Sequence, residues 1–500
     1  LIRAPSYEST SLRCSQECSI GLNSVQTFSN EYTKILANYP EITEPKFHLT
    51  STSHGVEHFI ETTGPPIFTR PRRLSPEKLK YAKEEFDQME KMGIIRRSKS
   101  PWGTPLHMVP KPDRTWRPCG DYSLLNNATV PDRYPLPLLQ DFTARLAGAK
   151  VFSKIDLVKG YFHIPVRGQD IPKTAIVTPF GSYEFLKMPF GLRNAAQSFQ
   201  RLMDHILRDF GFIFVYLDDI LVFSPDKESH KAHLEAVFRA LRENGLVINV
   251  GKCQFGRSEL DFLGHHVSAK GIKPLEAKVE AVRRFERPSD VKGIMEFTGM
   301  VNYYHRFVPG SSAILSPLYK AIRGKPKTSK VEWTPAMEIA FESAKRKLAE
   351  ATLLVHPVHD AVTAISVDAS SVAVGAVLEQ FQGGEWRPLA YFSKQLRDAE
   401  KKYSTFDREL LAIYLAIRHF RFFLEGRSFT IYTDHRPLTF ALQKSTDPWN
   451  PRQGRHLSYI AEFSSDIRHV AGKDNSVSDA LSRSFVAACT PVLATTIDYE

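Results

Sequence analysis

The sequence predicts an α+β domain, a helical connector and then a second, α/β domain. Three observations carry that prediction. Five hundred residues are too many for one ordinary hydrophobic core, so two or more domains are expected. In the first half, helical periodicity alternates with short strand patterns and tight turns, an order that suits antiparallel pairing rather than parallel βαβ units. A new strand-rich pattern begins at Ala361, beyond a mostly helical stretch from Pro274 to about Leu348.

Residues 1–60 are rich in Ser, Thr and Glu, lack sustained periodicity, and read as a linker or loosely attached arm. Ser75-Pro76-Glu77 is a helix start, with Ser as cap and Pro at the first position, and Gly93 is its stop. Strand patterns follow at Pro105–Val109, Trp116–Asp121 and Val151–Asp156. Asn194–Phe210 carries Ala196, Phe199, Leu202, Met203, Ile206 and Leu207 at helical spacing. Next come an apolar hairpin, Phe212–Phe223, and a helix from about Ser229 to Asn244, ended by Gly245. Helices are expected over Lys292–Phe307 and Pro335–Leu348. The last domain should hold strands Thr363–Val367, Ala373–Gln380 and Phe429–Thr433, and a long helix from about Glu400 to Leu424. A short helix from about Ser476 to Ser482, capped by Asn475 or Ser476, completes it.

The hairpin reads Phe-Ile-Phe-Val-Tyr-Leu-Asp-Asp-Ile-Leu-Val-Phe, broken only by Asp218 and Asp219. An isolated ionised carboxylate is costly to bury, so adjacent acids in such a run call for a turn, a cation or a bound metal. A tight turn would present both at the tip of the hairpin, where a divalent metal satisfies them together. A plain solvated turn is the alternative, although this dipeptide lacks the usual Gly or Asn. Asp156 ends a short strand directly before an aromatic stretch. Much later come Asp368, Glu409, Asp434 and Asp479. Two separate acidic constellations imply two metal sites.

A formal charge of +11 and a pI near 9.2 point to a polyanionic partner, nucleic acid or an anionic membrane. From Phe68 to Arg117, basic residues alternate with Tyr81, Phe86, Trp102 and Trp116, the mixture expected of a surface that follows phosphates and stacks bases. The five cysteines are scattered and odd in number, so no disulfide framework is expected; Cys14 and Cys18 have knuckle-like spacing but no following His or second Cys pair. No apolar run approaches the roughly 20 residues of a membrane span, and no signal leader opens the chain, so an intracellular protein is expected. Starting at Leu1, it reads as a piece of a longer polyprotein.

Tyr216-Leu-Asp-Asp219, Phe152-Ser-Lys-Ile-Asp156-Leu, Lys187-Met-Pro-Phe-Gly-Leu-Arg-Asn-Ala195 and Phe262-Leu-Gly-His-His266 occur in the order seen in reverse transcriptases. Over about Pro66 to Arg483 the chain most resembles Gypsy-type long-terminal-repeat retrotransposon polyproteins. The resemblance implies a right-hand polymerase with fingers, palm and thumb, a helical connection and a C-terminal α/β RNase H-like domain. It divides the chain into an arm (1–60), fingers and start of palm (61–150), palm (151–265), thumb and connection (266–350), RNase H-like domain (351–485) and tail (486–500). Asp156, Asp218 and Asp219 would hold two Mg²⁺ ions in the palm, and Mn²⁺ also suits carboxylate ligands.

By the same resemblance, Tyr161 is a steric gate against ribonucleotides, while Lys111 and Arg117 grip the incoming triphosphate. Asp121 fits the family's acidic position nearby, but Ser123 stands where an Arg is usual. Phe190 and Gly191 would lie under the nucleotide and template bases, Lys252 would protonate pyrophosphate, and Phe262, Leu263, Gly264 and His265 would form a primer grip. Asp368, Glu409, Asp434 and Asp479 would bind two metals and cut the RNA strand of an RNA–DNA hybrid. The Gly-His-x-Gly loop of many cellular RNases H is absent, Ala471-Gly-Lys-Asp-Asn475 standing there instead, and nearby His469 has no assigned role.

Expected partners are an RNA template, a DNA primer strand, RNA–DNA hybrid, dNTPs and an RNA primer, with a homodimer left open and no membrane. The resemblance implies a cytoplasmic virus-like particle, with the nucleus as an alternative. Protease and integrase signatures are missing, so those activities are expected elsewhere in a polyprotein. The competing reading is an inactive or domesticated nucleic-acid-binding relic.

Overall fold

The structure, a computed structural model, describes residues 31–44, 54–110, 115–351, 353–442 and 449–470. Helix α1 (Glu31–Leu36) corrects the expectation of a loose arm over its described part. Tyr32, Ile35, Leu36 and Tyr39 recur at helical spacing, are buried, and join the first hydrophobic core. Glu31 also pairs with Lys231 at 2.7 Å.

The chain continues through α2 (Pro76–Lys91), β1 (Ile95–Arg97), β2 (Thr104–Pro110), β3 (Trp116–Gly120), α3 (Ser123–Ala128) and α4 (Leu139–Arg145). Pro76 opens α2 as expected, but the Ser75 side chain makes no capping hydrogen bond. Gly93, at φ +66°, follows its end. Then come β4 (Val151–Asp156), β5 (Ile176–Thr178), β6 (Gly181–Phe185), α5 (Ala195–Leu207), β7 (Ile213–Tyr216), β8 (Asp219–Ser224), α6 (Lys227–Glu243) and β9 (Gln254–Arg257). They form two sheets, ordered β1-β6-β5-β2-β3 and β7-β8-β4-β9, the second antiparallel throughout.

Strand β8 reads as a continuous apolar run because both its faces are buried. Ile220 and Val222 enter the first core with Phe199, Leu202 and Phe238, while Leu221 enters a second with Phe142, Phe214, Phe262 and Phe297. That second core is roofed by β10 (Glu259–Phe262), β11 (His265–Ser268), β12 (Gly271–Pro274) and helices α7 (Glu276–Arg283), α8 (Val291–Tyr303), α9 (Ser311–Ile322) and α10 (Pro335–Ala349).

The last unit contains β13 (Thr363–Ala369), β14 (Ala373–Gln382), β15 (Glu385–Gln395), α11 (Asp398–Lys401), α12 (Thr405–Leu424), β16 (Phe429–Thr433), α13 (Pro451–Phe463) and β17 (Ile467–His469). Its sheet runs β15-β14-β13-β16-β17, antiparallel from β15 to β13 and parallel thereafter. The expected single helix from Glu400 is interrupted: α12 starts anew where Ser404 accepts a hydrogen bond from the Asp407 N–H. The sequence reading missed β15, whose Pro388 argues against a strand. Pro is tolerated there because β15 is an edge strand and the register shifts between Leu378 and Glu379, opposite it. It also missed α13, which buries only Leu457 and Ile460 of its thirteen residues, and three-residue β17. The helix expected over 476–482 lies outside the described residues, as do Lys111, Asp479, Cys14 and Cys18.

Burial pushes His58, His163, His230, His265 and His419 down to about 4. His230, for example, is hydrogen-bonded between Ser153 Oγ at 2.6 Å and Ser224 Oγ at 2.8 Å. The folded chain therefore binds fewer protons than the unfolded one between about pH 6.5 and pH 4, and stability falls as pH drops through that window. Urea midpoints should decline steadily from pH 7 to pH 5, by more in the parent than in a His230→Gln variant. A flat profile would contradict neutral buried imidazoles. Among the described residues no helix is long and apolar enough to cross a membrane.

Candidate active sites

The first acidic site is made by sheet register. Asp156, the last residue of β4, pairs directly with Asp219, the first of β8. The β7–β8 hairpin closes opposite Tyr216 and Asp219 with the two-residue turn Leu217-Asp218. Leu217 has φ +54°, a left-handed conformation that costs a bulky residue about 1–2 kcal/mol. Its N–H donates to the buried Gln200 side chain at 3.0 Å. All three acids are half-buried. Burial raises the Asp156 carboxyl, Lys252 opposes that, and Asp219 and Asp218 add to it. Lysines supply the compensating charge: Lys154 Nζ lies 3.0 Å from Asp219 Oδ1, and Lys252 Nζ 3.7 Å from Asp156 Oδ1. Lys154 was missed from the sequence, although its i, i+2 relation to Asp156 puts both on one strand face.

Aromatic contacts run outward from these acids. The Tyr161 phenol is raised by burial and then by Asp218, and its ring meets Phe190 at 4.9 Å and Phe199 at 5.4 Å. The Arg117 guanidinium lies 5.3 Å from the centre of the Phe190 ring. Gly191 has φ +92°, where any side chain would be strained, and its carbonyl accepts from Asn126 Nδ2 at 2.8 Å. Asp121 accepts from Ser123 Oγ at 2.6 Å, which with the ion pair to Arg72 holds its carboxyl low against the opposing effect of burial. Arg72 thus reaches Asp121, a partner that sequence spacing could not reveal across 49 positions. Phe86 and Trp102, read from sequence as parts of a base-stacking surface, are instead core residues.

The segment Phe262–His265 forms another two-residue hairpin turn, with Leu263 at φ +45° and Gly264 at φ +73°. Positive φ at both central positions is the type I′ arrangement, which matches strand twist. Phe262 and His265 flank it and are buried, so of the four residues only the turn itself reaches the surface. Tyr303, the last residue of α8, and Tyr304, its C-cap, donate to the Leu263 and Gly264 carbonyls, each at 2.8 Å.

In the last unit, parallel pairing of β13 and β16 sets Asp368 and Asp434 at the same sheet end, and α12 brings Glu409 to them. Among the described residues, this is the one group of three acids and imidazoles or thiols whose ligand atoms lie within 4.8 Å of one another. Glu409 Oε1 accepts from the Ala369 N–H at 3.0 Å, and Oε2 is buried with no hydrogen-bond partner among the described residues. Burial first, then Asp368 and Asp434, push Glu409 up to about 9. Converging carboxylates with an orphaned buried oxygen fit a hard divalent cation, which would remove the repulsion that holds this proton.

Residues 109–267 match the family described as reverse transcriptase (RNA-dependent DNA polymerase), and residues 333–431 the RNase H-like domain found in reverse transcriptase. The chain is 36% identical over 467 residues to the retrovirus-related Pol polyprotein from transposon opus of Drosophila melanogaster, covering 90% of this chain and 46% of that one. It is 37% identical over 438 residues to the corresponding protein of transposon 297 from the same fly, covering 86% and 40%. The transposon Tf2-3 polyprotein of Schizosaccharomyces pombe is 35% identical over 438 residues, with 86% and 32% covered. The chain therefore spans less than half the length of these curated relatives. Among solved structures, the foamy viral protease-reverse transcriptase dRH in complex with double-stranded DNA superposes with a TM-score of 0.79 at 20% identity, covering 93% of this chain and 84% of that one. The foamy viral protease-reverse transcriptase in complex with an RNA/DNA hybrid gives 0.75 at 21% identity, covering 99% and 67%. The fold is shared with both.

Proposed function

The chain belongs to the reverse transcriptase and RNase H-like region of Gypsy-type retrotransposon Pol polyproteins, and from that premise we propose that it copies RNA and DNA templates into DNA and cleaves the RNA strand of the resulting hybrid. The observation that carries the reading is the pairing of Asp156 with Asp219 across β4 and β8, with Asp218 on the adjoining turn, in a chain that also gathers Asp368, Glu409 and Asp434. Two Mg²⁺ ions at each site would activate the attacking oxygen and stabilise the leaving oxygen of an in-line displacement.

The chain's own residues do the rest. Asp156 and Asp218 are the firmer ligands in the palm, and Asp219 supports them through Lys154. Tyr161, braced by Phe190 and Phe199, presents the ring that would meet a ribonucleotide 2′-hydroxyl. Arg117 and Lys111 offer charge-assisted contacts to the triphosphate. Lys252, beside Asp156, is within reach to donate a proton to pyrophosphate. The Leu263-Gly264 turn, tied to the adjoining helix by two tyrosine hydroxyls, supplies the primer contact. In the second site Asp368, Glu409 and Asp434 would hold the divalent cations that RNA cleavage requires, with Asp479, outside the described residues, as the fourth ligand that the resemblance implies. Residues 61–265 serve as fingers and palm, 266–350 as thumb and connection, and 351–485 as the RNase H-like domain. An RNA template, a DNA primer strand and dNTPs are the substrates, an RNA primer starts synthesis, and a cytoplasmic virus-like particle is the setting.

The test is dNTP incorporation on a primed RNA template, with cleavage of a labelled hybrid measured in parallel. Both activities should require Mg²⁺ and disappear with EDTA. No incorporation by a folded chain that still binds hybrid would favour the nucleic-acid-binding relic.

A further inference from the structure

We infer that Gln200 is a positioning residue for DNA synthesis, holding the Leu217-Asp218 turn so that the Asp218 carboxylate stays beside Asp156. This rests on the polymerase reading above. Gln200 lies on α5, away from the acids in sequence, and is fully buried. Its Oε1 accepts from the Leu217 N–H at 3.0 Å, and its Nε2 donates to Asp204 Oδ1 at 3.0 Å and to the Val215 carbonyl at 3.4 Å. Asp204 is itself held by the Tyr134 hydroxyl, which donates to Oδ2 at 2.7 Å. The amide is thus oriented from two sides, with its oxygen aimed at the turn.

The turn needs such a partner. In a two-residue hairpin the ladder ends at Tyr216 and Asp219, so the Leu217 N–H has no strand partner. Leu217 also adopts φ +54°, which a leucine avoids without outside support, and the residue after it is Asp218. Were Leu217 to relax to negative φ, the peptide joining it to Asp218 would rotate and carry the carboxylate off the pair below. A buried amide that satisfies the N–H the turn leaves unpaired ties the turn to α5 and favours the observed conformation over one that would break this bond.

Gln200→Met keeps the length of the side chain and removes both hydrogen-bonding functions, leaving no large cavity. The full chain carrying it should lose about 100-fold in kcat for dNTP incorporation, the scale of a misplaced catalytic group. The KM for dNTP should change little, and a higher Mg²⁺ concentration should be needed for half-maximal rate. Hybrid cleavage at the second site, built on a different sheet, should stay within about twofold, which reports an intact fold. Adding Leu217→Gly, which tolerates positive φ without support, should recover most of the lost rate. Amide exchange across 213–223 should be faster in Gln200→Met than in the parent.

Unchanged kcat with unchanged exchange would overturn the inference, as would parallel loss of both activities or failure of Leu217→Gly to rescue. A parent that incorporates no dNTP would defeat the polymerase reading instead, and exchange at the turn would then decide the role of Gln200 by itself.

Discussion

Asp218→Asn is expected to abolish DNA synthesis, by about 1,000-fold or more, while hybrid cleavage stays within about twofold of the parent. The amide has nearly the size of the carboxylate but loses the charge and one ligand oxygen that a hard cation requires. Folding should not suffer. Asp218 is half-buried on a turn beside Asp156 and Asp219, so removing its charge relieves repulsion rather than breaking a contact. Steady-state incorporation on a primed RNA template, run beside cleavage of a labelled hybrid, measures both effects on one preparation. If the folded variant lost both activities, the two acid sets would not be independent sites. If it kept synthesis, the cations would be held elsewhere.

Glu409→Gln should produce the converse pattern, with hybrid cleavage lost about 1,000-fold and DNA synthesis preserved. It should also raise the melting temperature of the metal-free chain. In the folded chain Glu409 is pushed up to about 9 from an ordinary 4.5, so the folded state holds a proton that the unfolded state releases above about pH 4.5. Stability present below pH 4.5 is therefore lost as pH rises toward 9, about 3 kcal/mol of it by pH 7. Glutamine cannot ionise, so the variant should be more stable than the parent at pH 7 to 9 and should level with it in acid. Mg²⁺ should stabilise the parent increasingly as pH rises and the variant much less. Melting curves at pH 5, 7 and 9, with and without Mg²⁺, test this. Because the buried histidines shift stability the other way below pH 7, the difference between variant and parent is the readout, and a difference that stays flat from pH 5 to 9 would show that Glu409 is not protonated there.

The sequence made the two acid sets legible because an ionised group inside an apolar strand is costly wherever the strand lies. Asp156, Asp368 and Asp434 were legible as acids closing or following strand patterns, whereas Glu409, on its helix, and Asp479 were joined to them only by the resemblance. Their partners were harder to see. Lys154 shares a strand face with Asp156 and was open to inspection, but Gln200 and Arg72 reach their targets across 17 and 49 positions, a pairing that only tertiary packing creates. Elements followed the same divide. Amphipathic helices such as α5 and α6 announced themselves by period, whereas β15 was hidden by a proline that an edge strand tolerates, and α1 by its short length. Phe262 and His265 are buried on either side of their turn, which a motif could not reveal, since it names residues without saying which of them face inward.

Strand β8 divides its side chains between two cores, and this constrains how the protein can be cut or altered. A slip of one residue would send Ile220 and Val222 where Leu221 and Phe223 belong and would pull Asp219 away from Asp156 in the same movement. Neither core can relax without the other resisting. A truncation ending near residue 265 would strip the cover from Phe142, Phe214, Leu221 and Phe262, leaving the acid-bearing hairpin supported on one side alone. A fragment meant to keep the acid-bearing hairpin covered on both sides must therefore carry at least the helices through Ala349, even though none of those helices contributes a carboxylate to the site.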